Sequence, residues 1–240
     1  MSRVAIVAAL EREVRPLVKR WRVNEKEHGG RRFRFFETDD VVLVCGGIGA
    51  EAARRAAEAV IALYAPAIIY SAGFAGALDT GLKVGDIVQP KRVVNAGDGS
   101  SVLLERGEGV LVSFGAVASP AQKAKLRDSF GAQAVDMEAA AVARAAEARG
   151  VRFAVVKVIS DESDFTIPDM DRFVDSDGRF REGRFAWFAA MRPWLWPQVG
   201  RLAVNSRRAS RVLCQFLESI NVRQISPSAS ASAIEAAHRR

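Results

Sequence analysis

VDMEAAAVARAAEARGVRFAVVKVISD, residues 135–161, decides the fold. Its middle, 138–150, is made almost wholly of strong helix formers and ends on Gly150, which suits the cap at a helix C-terminus. The run FAVVKVI at 153–159 is short, apolar and β-branched, and reads as a buried strand. A helix feeding a buried strand is the building unit of an α/β sheet. Glu138 then opens the helix, and Asp161 stands just past the carboxyl end of the strand. Open α/β sheets bind ligands at that edge, so two acids delivered there point to acid/base work on a polar small molecule.

Working outward, the rest of the chain alternates in the same way. Residues 4–9 form an apolar run fit for a central strand, and 11–21 follow as a helix with Val14, Leu17, Val18 and Trp21 on one face. Short strands are expected at 32–37 and 41–45. The second runs into Gly46-Gly47-Ile48-Gly49 and a helix over 50–63, with Ala56, Val60, Ile61 and Tyr64 on its inner side. Residues 67–71 read as another buried strand ending in Gly73-Phe74-Ala75-Gly76, and 82–88 turn into a strand continuing towards Val94. The glycine- and serine-rich 96–109 reads as a loop, followed by a strand at 110–112 and a helix at 120–129. The order predicts a three-layer α/β/α sandwich with a mixed, mostly parallel sheet, plus C-terminal helices. The expected domains are 1–180 for the sandwich, 181–224 for an amphipathic helical extension packed on it, and 225–240 for a disordered tail of low complexity.

Composition narrows the function. With 240 residues and 49% hydrophobic content the chain can bury a sizeable core. Its net charge is +7, and residues 191–240 hold eight arginines against two glutamates, so six of those charges lie at one end. Basic charge confined to a terminus does not describe a nucleic-acid-binding face, and no nucleic-acid partner is expected. Cys45 and Cys214 lack metal or redox spacing and read as plain buried thiols. No signal-peptide pattern precedes the first strand and no run of about 18 apolar residues occurs, so a cytoplasmic protein is expected. His28 lies in a charged loop and His238 three residues from the end, which leaves no serine or cysteine triad. The acids around Asp161, Glu162, Asp164, Asp169 and Asp171 lack calcium-loop spacing, and neither metal nor cofactor is expected. Gly47-Ile48-Gly49 opens a helix after a strand as a dinucleotide site would. The third glycine position is Ala52, however, and Tyr70 and Ser71 end the next strand, so tight strand-to-helix packing is the better reading.

Five motifs in order carry a resemblance. They are Ala8-Ala9-Leu10-Glu11-Arg12-Glu13-Val14, Gly73-Phe74-Ala75-Gly76-Ala77-Leu78, Leu82-Lys83-Val84-Gly85-Asp86-Ile87-Val88, Val135-Asp136-Met137-Glu138-Ala139 and Ile159-Ser160-Asp161. Together, over about residues 3–175, the chain resembles the purine nucleoside phosphorylase and nucleosidase superfamily, in general look the methylthioadenosine/S-adenosylhomocysteine nucleosidases. The resemblance implies cleavage of the N-glycosidic bond of a purine nucleoside by a homodimer or larger oligomer. Asp161 matches the acid that protonates purine N7, and burial is expected to raise its pKa for that task. Glu138 matches the carboxylate that grips the ribose hydroxyls, with Met137 packed under the sugar. Glu13 matches the base that activates water. On the residues alone, Glu13 could equally be a helix N-terminal acid stabilised by the helix dipole. The same resemblance places Gly73, Phe74, Ala75, Val135, Asp136, Lys157 and Ser160 at the substrate.

Water and phosphate can be weighed as attacking groups. Glu11 and Glu13 occupy the first strand-to-helix turn, where a phosphorylase would cradle phosphate, and carboxylates there repel it; Arg12 and Lys157 could offset this. Hydrolysis is the preferred reading. The chain also departs from the nucleosidase pattern, with Phe74 where those enzymes carry serine and Lys157 where they carry arginine. The loss of both leaves a non-catalytic nucleoside-binding protein as an alternative, against which the three retained carboxylates argue. The stretch 88–110 is shorter than in those enzymes and implies a more open 5′ side. Trp187, Trp194 and Trp196 precede a helix over 198–221 whose apolar face, Val199, Leu202, Val212, Leu213, Phe216, Leu217 and Ile220, backs onto arginines. A terminal helix docked on its own domain is the plain reading; contact with an anionic membrane surface or a lipidic substrate is the other. The glycine motif, the short loop and the Trp-Leu-Trp-Pro run look like the hopanoid-associated branch, which would release adenine from adenosylhopane.

Overall fold

The computed structural model describes residues 3–166, 170–173, 175, 178, 181, 184, 185 and 191–219. In chain order its elements begin β1 (Val4–Ala8), α1 (Glu11–Val18), β2 (Arg22–His28), β3 (Arg31–Glu37), β4 (Val41–Cys45), α2 (Ala50–Tyr64) and β5 (Ile68–Ala77). They continue with β6 (Ile87–Val88), β7 (Arg92–Asn95), β8 (Ser101–Leu103), β9 (Val110–Ser113), α3 (Pro120–Phe130), β10 (Ala134–Asp136), α4 (Ala139–Glu147), β11 (Arg152–Asp161) and α5 (Trp196–Ser219).

β5 is the hub of a mixed sheet. β1 runs parallel to its first four paired residues, β10 antiparallel to its last two, and β11 parallel along nearly its whole length. β4 extends the parallel centre beyond β1, and β9 and β7 lie parallel beyond β10. The other antiparallel pairings are the hairpins β2–β3–β4 and β7–β8 and the short β6 beside β11. Alternation along each strand divides the core. Val4, Ile6 and Ala8 of β1 pack with Val14, Leu17 and Val18 of α1 and Leu213 and Leu217 of α5, whereas Ala5 and Val7 pack with the alanine-rich α2 and α4. α3 sits across the sheet from α4: Val112 and Val135 meet Leu126, while Leu111 and Ala134 meet Ala139 and Ala140. This is the three-layer sandwich expected.

The differences have local causes. β2 was not expected: its residues are mostly exposed and charged, so no buried face marks it, and its pairing with β3 defines it. The 96–109 segment contains the strand β8, which likewise buries no side chain fully. Gly73–Gly76 is not a loop after a strand but part of β5, and helix α1 stops at Val18, leaving Trp21 packed on the core from outside it. α5 begins at Trp196, two residues before the expected start; Trp187, Asp169, Ile220 and the tail 225–240 lie outside the described residues.

Candidate active site

Four carboxyl ends of strands converge on one cavity of about 160 Å³. The β1–α1 turn supplies Ala9 and Leu10, and the first turn of α1 supplies Arg12 and Glu13. β5 gives Phe74, Ala75 and Gly76; β10 and the residues after it give Val135, Asp136, Met137 and Glu138; β11 gives Ser160 and Asp161. The last two owe their aim to a register shift between Ile159 and Asp161, an irregularity of the kind that turns side chains at a sheet edge. Gly73 and Lys157 lie behind the wall.

Glu13, Asp136, Glu138 and Lys157 form one buried cluster. Lys157 Nζ is 2.8 Å from Asp136 Oδ2 and 3.8 Å from Glu138 Oε2. Asp136 also accepts from Ser113 Oγ at 2.5 Å and from the Ala139 N–H at 2.8 Å, so it caps α4 while anchoring the lysine. Its oxygens are thereby committed to the protein. Glu138 Oε1 accepts the Gly49 N–H at 2.9 Å, which joins the glycine loop before α2 to this cluster. A Cβ on Gly46 would stand 2.7 Å from Ala56 Cβ and 2.9 Å from the Ala52 carbonyl oxygen, which is the tight strand-to-helix packing expected of this glycine run. Burial would lower the Lys157 pKa, but Asp136, Glu138 and Glu13 outweigh it and the net shift is upward. Burial first, and then Asp136, raise Glu138, against the opposing Lys157.

Glu13 is only 6% exposed, and its Oε2 is a buried side-chain oxygen without a hydrogen-bond partner among the described residues. Burial, and secondly Glu138, push its pKa up to about 7, although Lys157 and Arg12 act the other way. Gly73 makes this possible: a Cβ there would stand 2.8 Å from Glu13 Oε2.

Asp161 heads a second group. Its Oδ1 accepts Ser160 Oγ at 2.7 Å, and its Oδ2 lies 2.5 Å from Lys123 Nζ, which also donates to the Glu162 carbonyl at 2.6 Å. Burial of Asp161 therefore comes with a cation, which the sequence reading did not include. Both side chains are nearly inaccessible, at 6% and 3% exposure. Lys123 was missed because a lysine in a helix normally faces water. The available signal was its place directly after the Ser119-Pro120-Ala121-Gln122 capping box, one turn beyond Ser119, which fixes where α3 begins. Among the described residues, no three His, Cys, Asp or Glu side chains are grouped to hold a metal ion.

Known proteins resemble this chain in sequence and in fold. Residues 3–118 and 106–183 match the family model described as the phosphorylase superfamily. The 5′-methylthioadenosine/S-adenosylhomocysteine nucleosidase of Buchnera aphidicola is 29% identical over 163 residues, 54% of this chain and 70% of that one. The aminodeoxyfutalosine nucleosidase of Campylobacter jejuni is 23% identical, over 72% of this chain and 92% of its own. Among solved structures, futalosine hydrolase of Helicobacter pylori superposes with a TM-score of 0.68 at 20% identity, covering 91% of this chain and 96% of that one, and so shares the fold. The methylthioadenosine/S-adenosylhomocysteine nucleosidase of Colwellia psychrerythraea, solved with adenine, gives a TM-score of 0.59 at 25% identity over 68% and 84% of the two chains. The chain belongs to the phosphorylase superfamily and is an enzyme of its nucleoside phosphorylase and nucleosidase family.

Proposed function

We propose that the protein hydrolyses the N-glycosidic bond of a 5′-substituted purine nucleoside, adenine being the base released. The observation that carries this is Glu13 Oε2, without a hydrogen-bond partner among the described residues and buried on the cavity wall beside Glu138. A carboxylate with a pKa near neutrality and an open acceptor is suited to hold and deprotonate a water molecule. Lys157, which could have offset the repulsion of phosphate, is engaged by Asp136 and Glu138.

In this reading Glu138 holds the ribose hydroxyls and Met137 packs under the sugar, while Phe74, Ala75 and Val135 shape the wall. The C1′–N9 bond breaks and its electron pair leaves with the purine, so positive charge develops at C1′ beside the Glu138 and Glu13 carboxylates. Asp161 delivers a proton to N7 and regains one from solvent after the base leaves, while Lys123 and Ser160 hold and orient its carboxyl. Water adds to C1′ as Glu13 takes its proton. The relatives named above are nucleosidases, which supports water as the attacking group.

The finer reading is a lipid-linked adenosine of the adenosylhopane type, cleaved by a cytoplasmic homodimer touching a membrane surface through α5. It rests on the sequence resemblance and on the short 88–110 segment. The domain reading belongs with it: a sandwich over 1–180 and an extension over 181–224. Phosphorolysis is the second reading, favoured by Arg12 on the cavity wall. Purified protein incubated with methylthioadenosine, S-adenosylhomocysteine, inosine and a lipid-linked adenosine, with and without phosphate, separates these by chromatography of free base. Release that requires phosphate would replace hydrolysis by phosphorolysis; no release from any substrate would favour a binding protein.

A further inference from the structure

Lys123 stands where a lysine is costly. It lies in the first turn of α3, just inside the Ser119 cap, and side chains of a helix tilt toward its N-terminus, the positive end of the helix dipole. It is also buried. A buried ion pair seldom stabilises a fold more than apolar side chains of the same volume would, so stability does not account for a charge here. Two of the three ammonium N–H groups are taken, by Asp161 Oδ2 and by the Glu162 carbonyl. The third has no hydrogen-bond partner among the described residues, and Lys123 forms part of the cavity wall.

β5 measures the distance between the charged groups of that cavity. A Cβ on Gly73 would stand 2.8 Å from Glu13 Oε2 and 3.7 Å from Lys157 Nζ, and one on Gly76 would stand 2.9 Å from Asp161 Oδ2 and 3.4 Å from Lys123 Nζ. Three residues of extended strand separate the two positions, about 10 Å. A water at hydrogen-bond distance from Glu13, its approach of about 3 Å to C1′, and the near edge of a purine fill that length. The charges along it differ in sign. At the Gly73 end the carboxyls of Glu13, Asp136 and Glu138 outnumber Lys157 and Arg12. At the Gly76 end the charged side chains on the wall are Asp161 and Lys123, so this end is cationic whenever Asp161 holds a proton. The wall is therefore polarised in the direction in which the electrons of the glycosidic bond move, from C1′ to the base.

We propose that Lys123 is a catalytic residue in its own right: its ammonium touches the departing purine and stabilises the negative charge that the electron pair brings to the ring. The inference deepens the nucleosidase reading and rests on it. The C1′–N9 bond breaks and both electrons go to the purine; the proton on N7 comes from Asp161, and Lys123 gives up none. In the transition state the ring has gained charge before the proton has fully crossed. A cation already fixed beside it lowers that barrier without reorganisation.

The test is a double-mutant cycle on the full chain, with 5′-methylthioadenosine and its 6-chloropurine counterpart as substrates and the free base followed by chromatography. In Asp161→Asn the base leaves without a proton, and there the ammonium matters most. Lys123→Met is expected to lower kcat at least about tenfold in the Asp161→Asn background as well as in the wild-type chain. A lysine that only orients Asp161 would cost nothing further in that background, and this result would overturn the proposal. 6-Chloropurine is the less basic leaving group and needs the cation less. Adding Lys123→Met to Asp161→Asn is therefore expected to raise the ratio of kcat for 6-chloropurine over adenine about tenfold, and an unaltered ratio would also overturn the proposal. Lys123→Gln, which keeps a hydrogen-bond donor without the charge, serves should the methionine variant not fold, and the same losses are expected of it. Failure of the nucleosidase reading is a separate result: no base from either substrate with the wild-type chain.

Discussion

The reaction proposed for this site divides its three carboxylates by surroundings. Asp161 is tied to Lys123, Glu138 to a backbone amide and Lys157, and Glu13 keeps an oxygen without a hydrogen-bond partner among the described residues. Asp161→Asn is expected to lower kcat by about 10²–10⁴ with the fold intact by circular dichroism; near-normal turnover would remove it from the mechanism. Lys123→Met should cost about tenfold or more in kcat with little change in KM, and Lys123→Arg should restore part of it. A purely structural lysine would change stability without that kinetic split. For Glu13, a folded-state value of about 7 against an ordinary 4.5 means the folded protein holds a proton that the unfolded chain has released between those limits. Stability then falls as pH rises through that interval, by roughly 3 kcal/mol, while activity rises because the base must be ionised. Urea midpoints near pH 5 and near pH 8, with pH–rate profiles, check both; Glu13→Gln should flatten the stability trend and abolish most turnover. The carboxylates were legible because each sits in a short motif. Lys123 was not, since its partner lies 38 residues away in sequence and only the packing of α3 reveals it.

At the scale of elements, the ends of β9, β10 and α4 and the middle of β11 are tied by one residue, Asp136, through Ser113, Ala139 and Lys157. Removing one member strands the others in a medium where an unpaired charge is costly. Asp136→Asn or Lys157→Met alone is expected to cost about 3–5 kcal/mol, and the double variant less than the sum, as urea unfolding of all four proteins would show. Additive losses would mean that the pair is not coupled. The same elements show what sequence pattern can reveal. The buried strands β1, β4, β5 and β11 were visible because both faces are apolar, and α2 and α4 because alanine-rich helices need flat sheet faces to pack on. β2 and β8 were invisible for the converse reason: they exist through hydrogen bonds to β3 and β7, and their outward side chains carry no periodic signal. The β11 irregularity at Ser160 left no mark in composition, though it aims the acid.

For the whole molecule, α5 links stability to chemistry. It covers the sheet together with α1, and it also touches the backbone of the catalytic turn: Ser210 Oγ donates to the Arg12 carbonyl at 3.4 Å, and Cys214 Sγ lies 3.7 Å from the Glu13 carbonyl. Water is thus kept from the back of Glu13 by a helix nearly two hundred residues later in the chain. Leu213 is fully buried at that contact, so Leu213→Ala should cost about 2–5 kcal/mol and lower Tm by several degrees. It should do something more specific as well. Burial is the largest cause of the raised Glu13 pKa, and a loosened α5 admits water. The acidic inflexion of kcat/KM is therefore expected to move below 7, towards 4.5, in Leu213→Ala. A comparably buried change on the other face, Val60→Ala in α2, should lower Tm without moving it. Equal displacement in both variants would assign the shift to general loosening, and no displacement in Leu213→Ala would mean that α5 holds the fold without tuning the base.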